Sequence, residues 1–86
     1  IVLYGAAETT EITLGAADCV GMKVIGVVDG DIAKQGREFF GNIIEAPSKI
    51  GEIMPDAVVI SSSGHQDEIY RSIKQYESRG IKIRKL

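Results

Sequence analysis

Continuous apolar runs alternate with stretches whose apolar residues return every three or four positions. Ile1-Val2-Leu3-Tyr4 is unbroken and stops at Gly5, the pattern of a strand buried on both faces. Over residues 8–21, Ile12, Ala16, Cys19 and Val20 recur at helical spacing, and Gly21 suits a left-handed helix cap. Residues 23–28, Lys-Val-Ile-Gly-Val-Val, form a second β-branched strand, stopped by the turn-forming Asp29-Gly30-Asp31. Together these predict a βαβ unit.

Beyond it, residues 32–41 are mostly polar, with Phe39 and Phe40 as their main apolar content, and 41–45 read as a short edge strand entered through a turn. Pro47, with Ser48 beside it, is placed for the first turn of a short helix over 47–54 that Pro55 closes. Residues 57–61 give another buried strand. Ser63-Gly64-His65-Gln66 offers a capping box, and Ile69, Ile73 and Tyr76 supply the buried stripe of a helix ending at Gly80. Ile81, Ile83 and Leu86 mark a final strand.

This alternation predicts an α/β fold, a three-layer Rossmann-like parallel sheet of strand order 3-2-1-4-5. Ligands of open α/β sheets bind beyond the carboxyl ends of the strands where the order reverses, here between the first and fourth strands. The loops after Tyr4 and Ile60 are therefore the expected site.

Length and composition narrow the class. With 86 residues the chain has room for one domain. A hydrophobic fraction of 44% and a charged fraction of 26% are ordinary for a globular domain and give no membrane span. The formal net charge is -2, and basic residues cluster only at Lys82, Arg84 and Lys85, so direct nucleic-acid contact is not expected. A single cysteine, Cys19, excludes an internal disulfide and suits a reducing cytoplasm. The start at Ile1 suggests a module cut from a longer chain, with a covalently linked neighbouring domain.

The first loop carries the main chemistry. Against the dinucleotide fingerprint G-x-G-x-x-G, the matching positions are Gly5, Ala7 and Thr10, so one glycine of three is kept. A methyl at Ala7 narrows the approach of a pyrophosphate, and Thr10 pushes the helix outward. Main-chain N–H groups at the helix start, over Ala6, Glu8 and Thr9, still favour an anion, while the carboxylate of Glu8 competes with one. The loop is either a nucleotide site or the bare strand-to-helix turn of such a scaffold. Asp29 lies close to the ~20-residue offset at which an acid holds a ribose hydroxyl. Asp29-Gly30-Asp31 is equally an ordinary turn, and it lacks the further oxygen ligands of a calcium loop, so no metal site is expected.

Ser61, Ser62 and Ser63 face the first loop across the expected crevice, as donors to phosphate or sugar oxygens or as caps of the next helix. His65, the only histidine, reads as solvent-facing, without a partner that would make it a base. Tyr70 and Lys74 spell Tyr-x-x-x-Lys, the pair of short-chain dehydrogenases, but no substrate-binding segment follows, and the match is taken as chance. Tyr4 and Tyr76 read as packing residues with wet hydroxyls. No catalytic residue is expected.

The run from Ile1 to Glu8, then Val24-Ile25-Gly26-Val27-Val28-Asp29 and Phe40-Gly41, resembles a group of Rossmann-like NAD(P)- or sugar-nucleotide-binding, CoA-binding-like domains. That group includes N-terminal domains of sugar-nucleotide acyltransferases, the Rossmann part of nucleotide-sugar dehydratases, and modules fused to winged-helix transcriptional regulators. The resemblance implies ligand contacts at Gly5, Ala6, Glu8 and Asp29, with Ala7 departing from the glycine the group prefers. The expected function is a non-catalytic nucleotide or sugar-nucleotide (NAD-like) binding module, the sensor or substrate-holding part of a larger bacterial protein. Two alternatives stand beside it: the cofactor domain of a nucleotide-sugar dehydratase, epimerase or acyltransferase, or a scaffold that has lost its ligand and pairs subunits in a homo-oligomer.

Overall fold

A computed structural model describes residues 1–5, 23–39, 41–61 and 64–85. The first apolar run forms β1 (Val2–Tyr4), which lies between two parallel neighbours, β2 (Gly26–Val28) and, from the second half of the chain, β5 (Ala57–Ile60). Between them in sequence come β3 (Glu38–Phe39) and β4 (Asn42–Glu45), then a 3-10 turn (Pro47–Lys49) that runs into α1 (Ile50–Ile53). After β5, α2 (Gln66–Ile73) continues as a 3-10 turn (Lys74–Arg79), and β6 (Lys82–Lys85) pairs parallel with β5.

The result is an α/β fold on a mixed six-stranded sheet, β3-β4-β2-β1-β5-β6. This differs from the expected five-stranded order 3-2-1-4-5 of a parallel sheet. The added strand is β3, which pairs antiparallel with β4 (Glu38 opposite Ile43, Phe39 opposite Asn42) and displaces β4 from the edge position it was expected to hold. The connection between them is two residues long and has Gly41 at φ 83°, the backbone region that tight hairpins demand and glycine supplies at least cost. Gly36 and Ile44 tie the hairpin further, through Gly36 N–H to Ile44 O at 2.7 Å and Ile44 N–H to Arg37 O at 2.8 Å.

β1 is apolar throughout because both of its faces are covered. Val2 and Tyr4 join Val28, Val58 and Ile60 in a cluster against Ile50 of α1 and Ile73 of α2, while Leu3, Val27 and Ile44 form a second cluster on the opposite face. Burying each such aliphatic side chain is worth about 1.5–3 kcal/mol. The helix expected over 8–21 falls outside the described residues, as do Phe40 and Leu86.

Two helix expectations are corrected. The segment expected as one short helix over 47–54 is a 3-10 turn followed by a single α-turn, closed by Met54 in the left-handed conformation (φ 50°, ψ 58°) ahead of Pro55. The capping box expected at Ser63 and Gln66 does not frame the last helix. Its N-cap is His65, with no side-chain cap bond, so Gln66 opens the helix instead of standing three residues inside it. The last six residues before the Gly80 cap are 3-10 rather than α.

Candidate functional site

Beyond its last residue β1 meets both neighbours through main-chain bonds. Gly5 is buried at φ 117°, a conformation that side chains resist, and its N–H donates to Val28 O at the end of β2 (2.8 Å). From the β5 side, Ser61 N–H donates to Tyr4 O (2.9 Å). The fully buried Ser61 hydroxyl lies 3.1 Å from Tyr4 O and 3.2 Å from Gly5 O. Gly5 is thus fixed from two sides at the place where the strand order diverges. Ser61 acts here as a clasp between strands, its hydroxyl directed at main-chain carbonyls. Ser62 and Ser63, like Ala6, Ala7, Glu8, Thr9 and Thr10, lie outside the described residues.

The end of β2 is organised by aspartates. Asp29 N–H donates to Glu45 O (3.1 Å), which aligns β2 with β4. The Asp29 carboxylate accepts Asp31 N–H (2.8 Å), and the Asp31 carboxylate accepts Ala33 N–H (3.0 Å), two successive side-chain-closed turns. Gln35 Nε2 donates to Asp29 O (2.9 Å), and Lys34 Nζ stands 3.8 Å from the other Asp29 carboxylate oxygen. The turn role of Asp29-Gly30-Asp31 is therefore realised, at the same end of the sheet as Gly5. Sequence reasoning passed over Lys34 and Gln35, because a contact five or six residues along a polar loop leaves no periodic signal.

Tyr4 joins these two groups. It is buried, and a methyl placed on Gly30 would stand 3.3 Å from its hydroxyl, so the turn closes tightly over the phenol. Burial raises the Tyr4 pKa above the ordinary tyrosine value, the nearby Asp29 charge adds to the rise, and the Ser72 hydroxyl opposes it. The expectation of a packing residue with a wet hydroxyl is corrected to that extent: the ring packs, and the hydroxyl is set against the turn.

At the start of α2, Gly64, His65, Gln66, Asp67, Glu68 and Arg71 line an open polar depression. His65 is exposed, with Nδ1 3.8 Å from the Glu68 carboxylate. Asp67 and Glu68 add negative charge to the first turn, and Lys85, by hydrogen bond and charge, lowers the Asp67 pKa. Further along, Tyr70 donates to the Glu77 carboxylate at 2.6 Å, and that bond raises its pKa. The Tyr70 hydroxyl is thus engaged with Glu77. Among the described residues there is no group of three or more His, Cys, Asp or Glu side chains suited to a metal, and no helix long and apolar enough to cross a membrane.

A family model described as C2185-like, N-terminal, matches residues 1–84. No curated protein and no solved structure matches the chain.

Proposed function

The chain belongs to the C2185-like, N-terminal family, whose description names no ligand, and we propose its function from the site itself: a non-catalytic module that binds a nucleotide-type small molecule, NAD or a nucleotide sugar, at the carboxyl ends of β1, β2 and β5. The observation that carries this reading is Gly5, buried at φ 117° between the strands that diverge from β1. A residue without a side chain, held there by bonds to both neighbouring strands, keeps a Cβ out of the place where open α/β sheets take their ligands. Asp29 supports the same end of the sheet as a partner for ribose hydroxyls. The finer architecture belongs to this proposal: a Rossmann-like core of three layers. The module would serve as sensor or substrate holder in a larger cytoplasmic bacterial protein, such as a winged-helix regulator.

One observation favours a second reading. Ser61 and Asp29 both spend hydrogen-bonding capacity on the chain's own backbone, as a scaffold that lost its ligand and pairs subunits would.

Thermal unfolding in the presence of NAD, NADP, a UDP-sugar and CoA separates the two. A ligand at 100 times its dissociation constant adds about 2.7 kcal/mol, a rise of roughly 15 °C for a domain this small. Gly5→Ala costs about 1–3 kcal/mol through backbone strain and should shrink the ligand-induced rise. If none of the four compounds moves the transition, the ligand-binding proposal is wrong.

A further inference from the structure

The strand order ends on β6, so among the described residues no strand covers its outer edge. The register shows which groups that edge presents. Lys82 N–H donates to Asp56 O (3.1 Å), and the parallel pairing runs from Lys82 opposite Ala57 to Lys85 opposite Ile60. Since alternate residues of a parallel strand bond to the same neighbour, Lys82 and Arg84 turn their main-chain groups toward β5, and Ile83 and Lys85 turn theirs outward.

One of the two outward positions has a cation on its main chain. The Ile83 carbonyl accepts the guanidinium of Arg84, at 3.3 Å from Nη1. The Lys85 side chain folds back onto α2, its ammonium 3.0 Å from the Asp67 carboxylate and 5.3 Å from the centre of the Tyr70 ring. Ile83 itself is buried against the core, while Lys82 and Arg84 are exposed. A four-residue edge strand with main-chain groups turned outward is a template for pairing, and charged side chains are one means of blunting it.

We propose that Arg84 is an edge guard that prevents a second copy of this chain from adding its own β6 to the sheet. Its guanidinium occupies the Ile83 carbonyl, one of the two outward acceptors that such pairing would use. Antiparallel pairing of two β6 strands would also set the Lys82 and Arg84 row of one copy against the same row of the other, and like charges directly opposed destabilise a strand pair. Lys82 contributes charge to this barrier but touches no main-chain acceptor of the edge, so the guard is specific to position 84.

Sedimentation velocity over a concentration series tests this with Arg84→Thr beside Lys82→Thr, which removes the same charge and leaves the Ile83 carbonyl covered. Arg84→Thr is expected to self-associate at a concentration at least tenfold lower than the parent chain, and Lys82→Thr within threefold of it. In the associated Arg84→Thr species, amide exchange at Ile83 and Lys85 should slow as concentration rises. Equal behaviour of the two variants, unchanged association of Arg84→Thr, or new protection at Glu38 and Phe39 in place of β6 would each overturn the proposal. Should Arg84→Thr not fold, Arg84→Met, which keeps the aliphatic stem without a donor, carries the same comparison.

Discussion

Tyr4 ends β1 with its ring in the core and its hydroxyl against the Asp29–Asp31 turn, and that placement has a consequence in alkali. Its pKa is raised in the folded chain, burial being the largest cause. As pH climbs past about 10 the unfolded tyrosine ionises first, so stability contributed by the buried phenol is complete below that pH and is lost through the window above it. Tyr4→Phe should therefore show a shallower fall in stability above roughly pH 10 than the parent, by chemical denaturation at each pH. The slope is reduced and not abolished, because the Tyr70 pKa is raised as well. An unchanged slope would place the Tyr4 hydroxyl in water. At this scale the sequence revealed local chemistry: an Asp-Gly-Asp string closes its own turn. It could not reveal the clasp of Ser61 on Tyr4, because those residues lie 57 positions apart and only the folded sheet brings them together.

The elements most legible in advance are those whose pattern records burial. β1, β2 and β5 are near-continuous apolar runs because each is covered on both faces, and helix spacing at Ile69, Ile73 and Tyr76 records the face that α2 and its 3-10 extension turn to the core. β3 left no trace, since two residues cannot display an alternation; its pairing is imposed by Gly41 and by the Arg37–Ile44 bond. The start of α2 was misplaced because Ser63 and Gln66 have capping-box spacing while the helix opens after His65. Met54 was read as helix and is its left-handed cap, at φ 50° with the side chain 44% exposed. Replacing it with glycine removes the steric cost of that conformation with little packing lost, so Met54→Gly should gain about 0.5–1 kcal/mol in urea denaturation and Met54→Val should lose at least as much. A loss for Met54→Gly would mean that the exposed side chain holds α1 in place.

At the scale of the molecule, the central strand and its diverging neighbours bring Gly5, Asp29 and Ser61, far apart in sequence, to one end of the sheet. The location of the candidate site was legible from topology, because alternating elements and right-handed crossovers constrain where the strand order reverses. What could not be read was how the site's polar groups are used, since Asp29 and Ser61 make bonds that depend on tertiary contact. The most direct test is an NMR titration of uniformly 15N-labelled protein with NAD and, separately, with a UDP-sugar. A ligand site at the strand ends predicts that the amides of Gly5, Asp29, Gly30 and Ser61 shift first and furthest while those of β6 stay in place. Shifts confined to residues 64–71, or none at saturating ligand, would contradict it.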